Sequence, residues 1–166
     1  MNVLLDTGPL DTGFGVVQND AIDLNGHMNV AYYALMVDKA TDVAFEHIGV
    51  GFVDIPRTGN TMFIANKHLR FHREVGLGDT LRFTTQILGY DDKRLHMYHR
   101  MIEAKSGALA CSVEMLSLHA SLATRRVTPF PPDSLARLAA WWAREKALPV
   151  PEDAGKPLAV KPGWSR

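Results

Sequence analysis

The chain has 166 residues, a charged fraction of 22% and 18 basic against 18 acidic side chains. That length suits one domain with a core of its own, and the charge balance argues against a nucleic-acid partner. A single cysteine, Cys111, excludes an internal disulfide and fits a cytoplasmic protein, no apolar run nears the ~20 residues of a membrane span, and Met1–Asp6 lacks the basic stretch of a signal peptide.

Residues 1–12, with Gly8-Pro9 and Thr12-Gly13, read as a loose arm, and Phe14–Gln18 as a short first strand. Asn29 to Ile48 reads as a long helix that Asn25 or Asn29 can cap. Tyr32, Leu35, Met36, Val43 and Ile48 make its predicted apolar face. Asp38, Asp42 and Glu46 make a solvated stripe, and Gly49 and Gly51 stop the helix. Ala31, Ala34, Ala40 and Ala44 keep it slim, which suits a helix wrapped closely by other elements. The period then changes to two: Phe63, Ala65, Leu69 and Phe71 alternate with Ile64, Asn66, His68, Arg70 and His72. A turn at Gly76–Asp79 leads to a strand whose predicted inner face is Leu81, Phe83, Thr85 and Ile87. Turns at Gly89–Lys93 and Lys105–Gly107 separate Arg94–Glu103 from Ala108–Ser121, both strand-like. Pro129–Pro132 breaks the chain, and Asp133 is placed to cap a last helix running through Trp141 and Trp142 to about Lys146.

Helix and strands are segregated rather than alternating, so the class is α+β, with the long helix filling one face of an antiparallel sheet. Residues 1–148 form the single domain, and 149–166, with four prolines, make an extended or disordered tail.

The chemistry concentrates in Asp23-Leu-Asn-Gly26-His27-Met28-Asn29, where a carboxylate precedes a helix start. Unpaired N–H groups and the macrodipole favour negative charge there. A carboxylate that attacks or activates water, beside donors that hold an oxyanion, is the minimum kit for acyl hydrolysis. The plainer reading of Asp23 is a capping residue, of His27 a structural histidine, and of Asn29 a cap. His68 and His72 share a strand face but lie roughly 13 Å apart, too far to bind one metal ion together, so no metal is expected. Glu114 is either a second carboxylate or the polar edge of the sheet, and Cys111 is a core residue.

Asp23-x-x-Gly26-His27-Met28-Asn29 followed by Tyr32 or Tyr33, with the later Gly78-Asp79 turn, resembles the hotdog-fold acyl-CoA thioesterases of the 4-hydroxybenzoyl-CoA thioesterase type. The likeness covers roughly residues 14 to 122. It implies a central helix wrapped by a curved sheet of about five strands, here with a C-terminal helix added. It also implies a homodimer or dimer of dimers that binds acyl-CoA at the interface, with no cofactor beyond the coenzyme A of the substrate. Carried over by position, Asp23 is the catalytic carboxylate, as nucleophile or general base. Gly26 opens the helix, Val30 supplies the N–H that polarises the carbonyl, and His27 orients Asp23 or touches substrate. Asn29, Tyr33, Arg125 and Arg126 are the candidate substrate contacts, the arginines for coenzyme A phosphates. The second acid of many relatives falls at Ala21 here, with an acid displaced to Asp20. Glu114–His119 and Thr124–Pro131 resemble the betainyl-CoA thioesterase branch. A quaternary ammonium there would call for an aromatic cage, with Trp141, Trp142 and Tyr33 as candidates. The rival readings are a hotdog dehydratase of 3-hydroxyacyl thioesters and a non-catalytic acyl-CoA binding module, neither of which releases free thiol.

Overall fold

The structure, a computed structural model, describes residues 8–156. Residues 1–7 of the predicted arm and 157–166 of the tail lie outside them. Strand β1 spans Leu10–Val16, helix α1 Val30–His47, the short helix α2 Ile55–Thr58 and strand β2 Asn60–Phe71. Strands β3 (Thr80–Tyr90), β4 (Arg94–Glu103) and β5 (Leu109–Ser121) follow, then helix α3 (Pro132–Glu145). The strands form one antiparallel sheet in the order β1-β3-β4-β5-β2. The hairpin connections β3-β4-β5 come from the turns read in the sequence, and β2, reached from β1 through α1 and α2, pairs with β5 at the edge opposite β1. None of the described helices is long and apolar enough to cross a membrane.

Helix α1 lies on the inner face of the sheet. Asn29 caps it, accepting from Ala31 N at 3.0 Å, and His47 ends it before Gly49, whose φ of 74° closes the last turn. The buried face is Tyr33, Val37, Ala40, Thr41, Ala44 and Phe45. That departs from the predicted stripe: Ile48 is buried, but Leu35 and Val43 are 54% and 42% exposed. The sheet takes the small side because Ala40 and Ala44 let the helix approach closely, so bulk alone misplaces the face.

The predicted inner residues of β3 are all buried. In β2 the strict alternation fails, since the register shifts between Ile64 and Asn66. Ala65 is the bulged residue, and a bulge exchanges the faces on either side of it. Met62 therefore joins the core and Phe63 turns outward beneath the Arg125 guanidinium, while Leu69 and Phe71 face the helix side. Asp133 does not cap α3: Pro131 occupies the N-cap, Pro132 opens the helix, and Asp133 lies in the first turn. The fixed proline φ already suits that entry, and the carboxylate faces the positive end of the dipole.

Two apolar clusters fill the inner face. One joins the start of α1 to β3 and β5 through Tyr33, Val37, Phe83 and Val113. The other joins the end of α1 to α3 through Phe45, Ile48, Leu138 and Trp141. Burying each such side chain contributes about 1.5–3 kcal/mol. The buried Glu145 carboxylate ties α3 to the sheet, accepting from Leu10 N and Ile87 N at 3.0 Å each. Beyond Leu148 the chain crosses to the outer face. Residues 149–156, expected as extended or disordered, lie across β3, β4, β5 and β2 as a strap ending in a turn. Gln86 Nε2 donates to Pro149 O, Gly155 N donates to the Glu114 carboxylate, and Arg70 donates to Lys156 O.

Candidate active site

The segment leading into α1 folds back on itself. Ile22 and Met28 form an antiparallel bridge, Asp23 N donates to His27 O at 3.2 Å, and Gly26 N donates to Asp23 O at 3.0 Å. Gly26 closes this loop with φ 80°, a left-handed conformation that a side chain would strain. Met28 N donates to Val75 O and Asn29 N to Ala21 O, which pin the loop to the body.

Both oxygens of the Asp23 carboxylate are held. Asn25 N donates to one at 2.8 Å and Asn29 Nδ2 to the other at 3.2 Å. Asn29 thus caps the helix with its oxygen and orients Asp23 with its nitrogen. The Asn25 N–H, with help from Asn29 and His27, keeps the carboxyl below its ordinary range and therefore ionised. No hydrogen bond joins the His27 ring to the Asp23 carboxylate. The His27 ring instead bonds Met28 O at 3.3 Å and stands 3.9 Å from Glu74.

A cleft of about 360 Å³ opens at the head of α1, lined by His27, Met28, Val30, Tyr33, Phe71, His72, Arg73 and Glu74. Tyr33 and Phe71 meet edge to face with centroids 5.1 Å apart, giving it an aromatic floor. Val30 is the first residue of α1, and its N–H meets no acceptor among the described residues. A free N–H at a helix N-terminus, inside a cleft, can hold a developing oxyanion. Asp23 stands on the loop behind this donor and is not part of the cleft wall.

The structure also separates some candidates. Ala21 is buried in the core cluster, so no acid is tolerated there, and Asp20 is exposed on the adjoining turn, Asn19–Ala21. Arg125 and Arg126 follow Ser121, which pairs with Asn60 at the far end of β2 from Phe71. The twelve residues of β2 put them roughly 36 Å from the cleft of their own chain. Trp141 is buried edge-on against His47 in the second cluster and Tyr33 belongs to the first, so these rings do not build one cage. Among the described residues, no three His, Cys, Asp or Glu side chains converge as a metal site.

One polar cluster escapes motif reading altogether. On the outer face, Tyr98 and Ser112 both donate to Asp153, His72 meets Ser112 Oγ, and His96 meets Glu114. In the sequence it shows only as His72 and Glu114, each read separately, and as the polar alternation of His96, Tyr98 and Arg100 in β4 and of Ser112 and Glu114 in β5.

Comparison with known proteins places this geometry. Residues 16–138 match the thioesterase-like superfamily. The betainyl-CoA thioesterase of Pseudomonas aeruginosa is 41% identical over 142 residues, covering 85% of this chain and 89% of that protein. The L-carnitine dehydrogenase/betainyl-CoA thioesterase of Agrobacterium fabrum is 34% identical over 134 residues, covering 81% of this chain but only 27% of that longer protein. Among solved structures, the Staphylococcus aureus protein SAV2348, determined in complex with CoA, superposes with a TM-score of 0.85 at 25% identity, covering 92% of this chain and 97% of that one.

Proposed function

The chain belongs to the thioesterase-like superfamily and is a hotdog-fold acyl-CoA thioesterase, and we propose that its substrate is a betainyl-CoA, a short acyl group ending in a quaternary ammonium. The observation that carries the chemistry is the unpaired Val30 N–H at the head of α1, beside a carboxylate fixed in place by Asn25 and Asn29. The thioester carbonyl oxygen accepts from Val30 N–H, and negative charge builds on it as the carbon becomes tetrahedral. A donor of this kind supplies ~2.7–4 kcal/mol in acyl-transfer enzymes. Asp23 then acts in one of two ways. As nucleophile it forms a mixed anhydride and expels the thiolate, after which water cleaves the anhydride. As base it takes a proton from water, whose hydroxide adds to the carbon as the C–S bond breaks, and the proton passes to sulfur. Both routes need the ionised carboxyl that the local N–H groups favour.

A homodimer completes the site in this reading. The β2 strand runs twelve residues with its outer edge unpaired among the described residues, which invites a second copy to pair along it. Antiparallel pairing about the middle of β2 would lay the Asn60 end of the partner against the Phe71 end of this cleft. It would carry the partner's Arg125 and the partner's Arg126 toward the coenzyme A phosphates. That end of the chain also holds a cavity of about 150 Å³ lined by Asp38, Asp42, Phe45, Phe52, Met62 and Ile64. Carboxylates and aromatic rings suit a trimethylammonium group far better than a neutral one.

Thiol release from betainyl-CoA, compared with 3,3-dimethylbutyryl-CoA, tests the charge requirement, because the two acyl groups differ by nitrogen for carbon. A preference of roughly 10-fold or more in kcat/KM for the cation is expected, equivalent to about 1.4 kcal/mol. Equal turnover of the two would refute the assignment of the acyl group.

A further inference from the structure

We propose that His72 is the base that takes the proton of the hydrolytic water, and that the C-terminal strap, through Asp153 and Ser112, fixes which ring nitrogen does so. This rests on the thioesterase reading but not on the identity of the acyl group.

The direction of the hydrogen bonds decides the assignment. Asp153, as a carboxylate, can only accept. Tyr98 Oη donates to its Oδ1, and Ser112 Oγ donates to its Oδ2 at 2.9 Å. Ser112 is fully buried and its single hydrogen is committed to Asp153, so toward His72 it offers only a lone pair. His72 Nε2 lies 2.8 Å from that oxygen and must carry the hydrogen between them. The neutral ring is then the Nε2–H tautomer, and Nδ1 keeps its lone pair. Nδ1 makes no hydrogen bond among the described residues, and the ring lines the cleft that contains Val30 and Tyr33.

Backbone geometry holds the ring at this boundary. His72 follows the last residue of β2, and its N–H and that of Arg73 both donate to Ala110 O, at 2.9 and 3.2 Å. Ser112 is the outward-facing residue of β5 opposite Arg70. The imidazole thus bridges the edge of the sheet, with Nε2 toward the strap on the outer face and Nδ1 free of the sheet. Arg70 stands 3.8 Å from Asp153 and holds its charge.

The chemistry gives such a base a task. Asp23 is held by two donors that keep it ionised and lower its basicity, which suits the nucleophile route and leaves the proton of the hydrolytic water to another group. The free ring nitrogen of His72 can accept that proton. Asp23 attacks the acyl carbon and expels the coenzyme A thiolate; water then gives its hydroxide to the acyl carbon of the anhydride and its proton to His72 Nδ1, Asp23 departs as the carboxylate, and the imidazolium passes the proton to the thiolate. Asp153 is a positioning residue: it meets no reacting atom and acts only by keeping the Ser112 hydrogen turned away from His72.

Two variants of the full chain test this on any thioester the wild type turns over. In His72→Gln the side-chain amide can still donate to Ser112, so the sheet edge keeps its bond while the base is lost. The expected result is a fall in kcat of roughly 100-fold or more with KM within about threefold; kcat within threefold of wild type would overturn the proposal. In Asp153→Asn the amide can donate to Ser112, which frees the Ser112 hydrogen for His72 Nε2 and drives the ring to the Nδ1–H tautomer. ¹⁵N NMR of the neutral ring should show pyridine-like Nδ1 in the wild type and pyrrole-like Nδ1 in Asp153→Asn, with kcat reduced roughly 10-fold or more. An Nδ1–H tautomer in the wild type, or a tautomer that Asp153→Asn leaves unchanged, would also overturn it. A protein that fails on betainyl-CoA but hydrolyses another thioester leaves both readouts usable, so the two readings fail separately.

Discussion

His99 has the same directional logic as His72 but the opposite setting, in the interior. Thr41 Oγ1 spends its hydrogen on Val37 O, so it accepts from His99 Nε2, while Thr85 Oγ1 donates to His99 Nδ1 at 2.8 Å. Burial, reinforced by the charge of Lys67, pushes the His99 pKa down from 6.5 to about 3. The folded state therefore keeps the ring neutral while the unfolded chain takes up a proton below about 6.5. Stability from this residue is intact above that pH, falls by about 1.4 kcal/mol per pH unit below it, and levels off near the folded value. Imidazole C–H shifts of His99 should stay constant from pH 7.5 to 5, and a titration midpoint near 6.5 would contradict the enclosure. At this scale Asp23, Gly26 and Asn29 were legible in the sequence because all their partners lie within eight residues. The Asp153–Ser112–His72 chain was not, because its members are 41 and 40 residues apart and meet only through strand pairing.

Helix α1 was legible at both ends, from the Asn29 cap and Gly49, but not in its orientation. Leu35 and Val43 outrank Ala40 and Ala44 in hydrophobicity, yet the close approach of the sheet selects the alanines. The bulge at Ala65 carries no glycine or proline to announce it, so the inner face of β2 was misread at Phe63. The strap was read as tail because its order comes from acceptors and donors on β3, β4 and β5 that exist only once the sheet is assembled. The exposed Ile64 and Phe71 on β2 acquire a purpose if a second copy pairs along that strand. Sedimentation at micromolar concentration should give a dimer, with activity per chain falling on dilution below its dissociation constant. A monomer with full turnover would contradict the shared site.

Over the whole molecule, segregation of one long helix from a run of antiparallel strands was enough to read the class, since little else covers one face of such a sheet. The superfamily match through residue 138 carries that likeness into α3, beyond the stretch that motif reading covered. Sheet, helix and strap together place three kinds of group at one end of α1: a fixed carboxylate, an unpaired backbone donor and an imidazole at the sheet edge. The direct test is thiol release from acyl-CoA by the wild type and by Asp23→Asn, with circular dichroism showing the fold intact. Asn29 can still hold the amide that replaces the carboxylate, so folding should survive while kcat falls by roughly 1,000-fold or more. Turnover near the wild-type rate in Asp23→Asn would remove Asp23 from the reaction.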